Sequence, residues 1–182
     1  MLLQGRVRLK ANLNVVLIHA DGSRVLIGDI EDAKPWYLRL REFLGFDERG
    51  LVTLGGINAT AADFTASGGL AVFKYHDSGT GTTTPAQTDT ALQTQAGPTT
   101  RATGTNTQTQ SASGTGSTTP AIITSVGTIA YVSTLAITEW GLFNQAAQGG
   151  TMFDHRTFAA INVVSGDSIQ FTYSLSLPGG GT

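Results

Sequence analysis

The sequence contains no cysteine, and charged residues make up only 13% of it. The missing cysteine excludes disulfides, thiolate metal sites and cysteine nucleophiles. The net charge of −2 gives no reason to expect nucleic acid or an acidic membrane surface as a partner. A free protein surface usually carries more charge than this, so the composition favours a surface that other chains cover.

Long apolar runs are also missing, and no stretch is long enough to span a bilayer as a helix. The first ten residues, MLLQGRVRLK, lack the apolar core and the small-residue cleavage site of a signal peptide. We therefore expect the chain to be made and folded in a cytoplasm. Its 182 residues suffice for one domain, or for one domain with a small annex.

What the sequence does contain is typical of a β protein with many tight turns. It has 23 glycines and 40% hydrophobic residues. Near the C-terminus, apolar residues alternate with polar ones, which predicts a strand with one buried face; these apolar residues are Ile169, Phe171, Tyr173, Leu175 and Leu177. The turn residues 165–167 separate this strand from a strand-like run at 158–164, and the pair predicts a β-hairpin.

Other β-runs precede this pair. Residues 128–137 are rich in Ile, Val, Tyr and Thr, which fit a pleated surface, and shorter runs follow at 140–143 and 151–153. Residues 70–75 and 7–10 are also strand-like. Near the N-terminus, runs at 14–19 and 24–27 flank Asp21-Gly22, which predicts a hairpin closed by a type I′ turn.

Residues 34–44 are ambiguous. Trp36, Leu40, Phe43 and Leu44 fall at helical spacing after Pro35, which suits a first helical turn. Trp36, Leu38 and Leu40 also alternate as in a strand. We favour a short helix here, and a second short helix within 51–64 after Gly55-Gly56.

Residues 78–119 form a Thr/Gly-rich segment in which Leu92 is the only aliphatic residue apart from alanines. Such a segment cannot bury enough apolar surface to offset the entropy of ordering it. We expect it to be ordered only against something else: its own β body, a neighbouring copy, or a larger assembly.

Residues that could carry chemistry are few, and we predict structural roles for them. His76-Asp77 and Asp154-His155-Arg156 could bind a metal or form an acid–base pair, but no spacing supplies the three protein ligands that metal sites usually need. Glu139 lies between apolar residues, and a buried glutamate is either paired or functionally tuned. We predict a structural ion pair between Glu139 and Arg156, and no catalytic, cofactor-binding or metal-binding residue.

Two Gly-Thr-Gly sequences, at 79–81 and 114–116, superficially match phosphate loops. Neither continues as a dinucleotide fingerprint or ends in Gly-Lys-Ser/Thr. Nucleotide binding is therefore not expected, and no Gly-x-Ser-x-Gly elbow indicates a hydrolase.

Five short motifs, taken in order, form a pattern that resembles a known family. They are Tyr75-His76-x-x-Gly79-Thr80-Gly81, Asp89-Thr90-Ala91-Leu92, Arg101-Ala102-Thr103-Gly104-Thr105, Ile137-Thr138-Glu139-x-Gly141-Leu142-Phe143, and Asn162-Val163-Val164-x-Gly166-Asp167-Ser168-Ile169 with Thr172-Tyr173. This pattern, which covers about residues 75–177, resembles a diverse group of tailed-bacteriophage virion proteins labelled tail-fibre-like or structural. The family pattern has an Asp-Arg pair where His155 here separates Asp154 from Arg156, so we expect that strand to shift or bulge.

The resemblance implies a non-enzymatic virion protein. We expect an all-β protein, an antiparallel β-sandwich that is jelly-roll-like, with an N-terminal hairpin and one or two short helices. Residues 1–69 would form an attachment or annex region and residues 70–182 the sandwich domain, including the extended segment 78–119.

The expected function is that of a capsid decoration (cement) protein, which binds the outer capsid surface and stabilises the head. The alternative is a tail-fibre, collar or baseplate component, and a virion hydrolase is the least favoured hypothesis. The expected partner is the major capsid protein, or tail proteins in the alternative. We also expect a homo-oligomer, a trimer by preference, located in the virion, with no cofactor, nucleic acid or membrane. The interface residues that we predict are Arg6, Arg8, Lys10, Trp36, Thr82 and Thr105.

Overall fold

The structure is a computed structural model that describes residues 10–29, 51–52, 69–109 and 121–177. Ten strands follow one another in this part of the chain: β1 (Lys10–Ile18), β2 (Arg24–Asp29), β3 (Leu51–Val52), β4 (Tyr75–Gly79), β5 (Ala102–Thr103), β6 (Thr105–Thr109), β7 (Ala121–Ala130), β8 (Leu135–Phe143), β9 (Met152–Val163) and β10 (Ser168–Leu177). A short 3-10 helix, Leu70–Val72, precedes β4.

The strands form two five-stranded sheets, and all pairings between named strands are antiparallel. The order in the first sheet is β2-β1-β10-β7-β6, and the order in the second sheet is β3-β9-β8-β4-β5. Apolar side chains from both sheets share one core. The predicted all-β sandwich is therefore confirmed.

The core follows from the alternation along the strands. Ile169, Phe171, Tyr173 and Leu175 of β10 are buried, as the sequence pattern predicts, while the residues between them are partly exposed. From the second sheet, Trp140 stacks on Tyr173 with ring centres 5.6 Å apart. Other buried apolar residues of the core include Leu13, Val15, Ile129, Ile137, Leu142 and Val163.

The N-terminal hairpin is part of the first sheet. β1 pairs with β2 on one side and with β10 on the other, from Lys10 to Ile18. Its turn is not type I′, which requires positive φ at two residues; among the described residues only glycines have positive φ, and here it is Gly22 at 84°. The amide of Gly22 donates to the carbonyl of His19, so this is a three-residue connection with glycine in the left-handed position.

Two other expectations about strands are wrong. Residues 128–137 are not one strand, since β7 ends at Ala130 and β8 begins at Leu135, after the chain has crossed to the other sheet. The turn 165–167 does not close a hairpin either: β9 belongs to the second sheet and β10 to the first. Turn residues determine where a chain reverses, but they do not determine which strand becomes its hydrogen-bonded neighbour.

Shorter runs also differ from expectation. Most of the runs at 151–153 and 158–164 belongs to the single strand β9, Met152–Val163. The register of β9 with β8 shifts on both sides of 154–157, while His155 itself is in regular register with Gly141. Residues 70–72 are a 3-10 helix and not a strand. The remaining expectations, a strand at 7–9, a helix at 34–44 and a helix after Gly56, lie outside the described residues, and the boundary at 69/70 stays a prediction.

Candidate functional site

Residues 80–101, here called the covering segment, lie over the outer face of the second sheet. The amide of Thr80 donates to the carbonyl of Thr94 at 2.8 Å, and the amides of Ala96 and Gly97 donate to the carbonyl of Ser78. These bonds bring the two ends of the loop 81–93 together, which is the arrangement of a compact Ω-loop. The Thr-rich segment is thus ordered, over this part, against its own β body.

The carboxylate of Glu139 holds this loop at its base. The side chain is fully buried in β8. The amides of Gly81 and Thr94 donate to Oε1 at 2.9 and 2.7 Å, and the amide of Gln93 donates to Oε2 at 2.9 Å. One carboxylate therefore satisfies three backbone donors of a loop that has no ladder of its own.

Gly79 and Gly81 are required by this close approach. A Cβ atom at Gly81 would lie 2.6 Å from Oε1 of Glu139 and 2.7 Å from Cβ of Gln93. At Gly79, it would overlap the same carboxylate oxygen and the carbonyl of Thr94. The Gly-Thr-Gly sequence makes room for a carboxylate and a crossing backbone, which is a different role from cradling a phosphate.

His155 of β9 joins this carboxylate to the loop from the side. Its Nε2 lies 3.2 Å from Oε2 of Glu139, and its Nδ1 lies 2.7 Å from Oδ2 of Asp89 in the loop. Asp89 also accepts a hydrogen bond from the amide of Ala86. Asp89, His155 and Glu139 thus form a continuous chain of charge-assisted contacts from the loop to the sheet.

The pKa values of these groups follow from their contacts. Burial alone would raise the pKa of Glu139, but the hydrogen bonds from His155 and from the three loop amides outweigh it and lower the pKa to about 2. Burial alone would lower the pKa of His155, but the bonds to Glu139 and Asp89 raise it above its ordinary value. Both shifts therefore favour the ionised form of the group.

Arg101 fixes the other end of the covering segment. Its Nε donates to Oδ2 of Asp77 at 3.2 Å, and its guanidinium lies 3.5 Å above the ring centre of Phe143. Its Nη1 donates to three carbonyls of the loop between β8 and β9, those of Gln145, Ala147 and Gly149. One buried side chain therefore connects the covering segment, β4 and this loop.

The predicted ion pair between Glu139 and Arg156 needs correction. The ionic partner of Glu139 is His155, while Arg156 pairs with Asp154, its Nε lying 3.2 Å from Oδ1. Glu139 lies opposite Thr157 and Gly141 lies opposite His155 in the register of β8 with β9. Because side chains alternate along a strand, His155 shares the face of Glu139 and Arg156 lies on the opposite face.

His76 and Asp77 both lie inside β4 and are buried. The indole of Trp140 donates to Nδ1 of His76 at 3.2 Å, and Nε2 of His76 lies 3.0 Å from Oγ of Ser125 in the first sheet. Burial lowers the pKa of His76 to about 3, so the ring is neutral and links the two sheets. Within the described ranges, no group of three His, Asp or Glu side chains is arranged to hold a metal ion.

The predicted interface residues are placed as follows. Thr82 is exposed on the loop, where its amide donates to Oε1 of Gln93. Thr105 is exposed at the start of β6, an edge strand of the first sheet, and Lys10 begins β1. Arg6, Arg8 and Trp36 lie outside the described residues, so their role stays a prediction.

The other edge strand of the first sheet exposes apolar side chains. In β2, Val25 is 45% exposed, Leu26 66% and Ile27 41%. Three consecutive exposed apolar residues on an edge strand are unusual for a protein that stays alone in water. In the described ranges, no helix is long and apolar enough to cross a membrane.

Sequence reasoning missed the roles of Asp89, Arg101 and His155. A signal for the first two was present: they are the only charged residues among the forty-two at positions 78–119. A single charged residue in an otherwise uncharged segment is a candidate for a specific buried ion pair. The signal for His155 was its insertion between Asp154 and Arg156.

Comparison of the chain with protein-family models, with curated proteins and with solved structures finds no match.

Proposed function

We propose that this chain is a non-enzymatic structural protein of a tailed-phage virion, and specifically a decoration protein of the capsid. The observation that carries the proposal is the covering segment: an exposed, nearly uncharged loop that a fully buried carboxylate holds in one conformation. The family resemblance of residues 75–177 supports the virion assignment.

An ordered loop binds with a smaller entropic cost than a flexible one, because its backbone and side chains are already restricted before contact. Glu139 and His155 are buried beneath a loop that has very little apolar surface of its own. Their contacts fix the conformation of this loop, as a binding site requires. The exposed residues of this loop are uncharged, and we assign the contact with the capsid to residues 82–92, here called the loop tip. Exposed members of the loop tip are Thr82, Thr83, Thr84, Ala86, Gln87, Thr88, Thr90 and Ala91.

The apolar edge strand β2 supports an assembly role from a second direction. Surface-exposed apolar residues in a row favour a surface that becomes covered in the mature particle, and the low charge of the chain agrees with this. We propose a homo-oligomer, a trimer by preference, bound in many copies to the major capsid protein at the outer surface of the head.

We propose no catalytic site. His76, His155 and Glu139 are each buried, and each uses its polar side-chain atoms on other protein groups. A hydrolytic centre would need such a group to face a substrate. In this proposal, therefore, the titratable side chains organise the fold and leave binding to the exposed residues.

The test is sedimentation of the purified chain with undecorated mature capsids and, separately, with isolated tails. We expect saturable binding to capsids at many copies per particle, together with a raised capsid melting temperature. Binding to tails alone, at a handful of copies, would overturn the capsid assignment and favour the fibre or baseplate alternative. Binding to neither would contradict both.

A pair of matched variants locates the contact. Thr84→Glu with Thr88→Glu adds two charges to the loop tip, whereas Ser133→Glu with Thr134→Glu adds two charges to the exposed turn between β7 and β8. We expect the first variant to lose capsid binding by tenfold or more, and the second to bind normally. Equal binding by both variants would move the contact away from the loop tip.

A further inference from the structure

Both ring nitrogens of His155 face a carboxylate. Nδ1 lies 2.7 Å from Asp89 and Nε2 lies 3.2 Å from Glu139. An ionised carboxylate can only accept hydrogen bonds, so both contacts are satisfied together only when both nitrogens carry protons. The geometry therefore requires an imidazolium.

Among the described residues around His155, no positive charge on its own face of the sheet would disfavour the imidazolium. β8 contributes Glu139, the covering segment contributes Asp89, and β3 approaches through the backbone pairing of Leu51. The charged neighbours of His155 along β9, Asp154 and Arg156, alternate to the opposite face of the strand. The proton on His155 thus responds to two carboxylates, one from the sheet and one from the loop.

We propose that His155 is a pH-controlled latch, and that its deprotonation releases the turn around Asp89 while Glu139 keeps its hold on the base of the loop. A neutral imidazole has one N–H and can serve only one of the two carboxylates. The other nitrogen then presents a lone pair to a carboxylate oxygen, and this contact becomes repulsive.

The two carboxylates are not equally able to lose this bond. The side chain of Glu139 is 0% exposed, whereas that of Asp89 is 26% exposed. An unsatisfied buried charge is far more costly than one that water can reach. The remaining proton therefore stays on Nε2, towards Glu139, and Asp89 turns outward into solvent.

The direction of the pH response follows from the sign of the change. The pKa of His155 is raised in the folded state, so its contribution is fully present below its unfolded pKa of about 6.5. That contribution is lost as the pH rises through the folded value. The loop tip is closed below about pH 6.5 and opens as the pH rises through the raised pKa of His155.

The latch is a property of the isolated chain, so its test needs no capsid and can fail or succeed independently of the proposed function. The chain contains three histidines, and His155→Gln assigns the ring signals in an NMR titration. His76 in the same sample is the internal control. It is buried, its pKa is lowered to about 3, and its ring signals should therefore not change above pH 6.5.

We expect His155 to titrate above 6.5, and the backbone mobility of residues 86–91 to rise with the same midpoint. The amides of Gly81, Gln93 and Thr94 should stay protected through that transition. Asp89→Asn, which removes one charge, should lower the midpoint of His155 by about one pH unit or more. Asp21→Asn is the matched control, since Asp21 lies in the exposed turn of the β1–β2 hairpin, and it should leave the midpoint unchanged.

Three results would overturn the latch. His155 could titrate at or below 6.5, which would exclude the imidazolium bridge. The mobility of residues 86–91 could be independent of that titration, which would exclude release of the turn. Loss of protection at Gly81, Gln93 and Thr94 with the same midpoint would show that Glu139, and not Asp89, gives up the bond.

Discussion

Replacing Glu139 with glutamine tests how the covering segment is held. Glutamine has nearly the same shape, but one of its two terminal groups donates instead of accepting. With its oxygen placed on the amides of Gly81 and Thr94, its NH₂ group faces the amide of Gln93 and Nε2 of His155. The amide of Gln93 is left without an acceptor, and His155 can bind the new NH₂ group only by releasing the proton on Nε2.

Two separate estimates of the cost agree. Leaving a donor such as the amide of Gln93 unsatisfied costs about 1–3 kcal/mol. The pKa of Glu139 falls from 4.5 to about 2, which corresponds to about 3 kcal/mol of preferential stabilisation of the carboxylate in the folded state. We therefore expect Glu139→Gln to lower the free energy of unfolding by about 3 kcal/mol at neutral pH.

Urea denaturation and thermal melting measure this difference. For a chain of this size, the expected loss corresponds to a fall of about 6–12 °C in Tm. Asp21→Asn, at an exposed carboxylate in the β1–β2 turn, is the control and should leave stability nearly unchanged. The wild-type protein should also lose the contribution of Glu139 as the pH falls from about 4.5 towards 2, while the variant should not. A loss below about 1 kcal/mol for Glu139→Gln would refute the reasoning.

Three other perturbations probe the neighbouring contacts. Arg101→Ala should cost about 3–5 kcal/mol, because it leaves Asp77 as an unpaired buried charge, and urea denaturation measures this; a cost below 1 kcal/mol would contradict the role of Arg101. His76→Gln should flatten the loss of stability between pH 6.5 and 3, because His76 has a folded pKa of about 3 and only the unfolded chain binds its proton in that window; an unchanged pH profile would oppose this. Gly81→Ala should destabilise the fold by about 1–3 kcal/mol through overlap with Glu139, and a neutral result in thermal melting would contradict the close approach.

The alternation of apolar and polar residues along a strand was sufficient to predict which of its side chains are buried. The alternation at 169–175 placed the buried face of β10 correctly, because period-2 burial is written in the strand itself. The turn at 165–167 was located correctly, but its two strands lie in different sheets. The choice of sheet depends on long-range pairing, which turn chemistry does not encode.

The sequence predicted that Glu139 is buried and paired, but it did not predict which residue is its partner. Its position among apolar residues indicated burial and pairing, and both are present. The choice between His155 and Arg156 depends on the register of β8 with β9, since one residue of slip exchanges the two faces. The register shifts between these strands, so counting along the sequence could not decide between the two neighbours.

The covering segment shows why composition alone was insufficient. Its lack of apolar residues indicated that it would be ordered only against another surface. The sequence could not say that the surface would be the second sheet, because the contacts with Glu139 and His155 join residues far apart in the chain. The isolated charges of Asp89 and Arg101 in an otherwise uncharged segment were the sequence signal that could have indicated these contacts.

Cryo-electron microscopy of capsids incubated with the protein tests the central claim most directly. The account predicts additional density in many symmetry-related copies on the outer capsid surface, with the loop tip, residues 82–92, facing the capsid. Density confined to the tail, or copies on the head whose loop tip points into solvent, would contradict it.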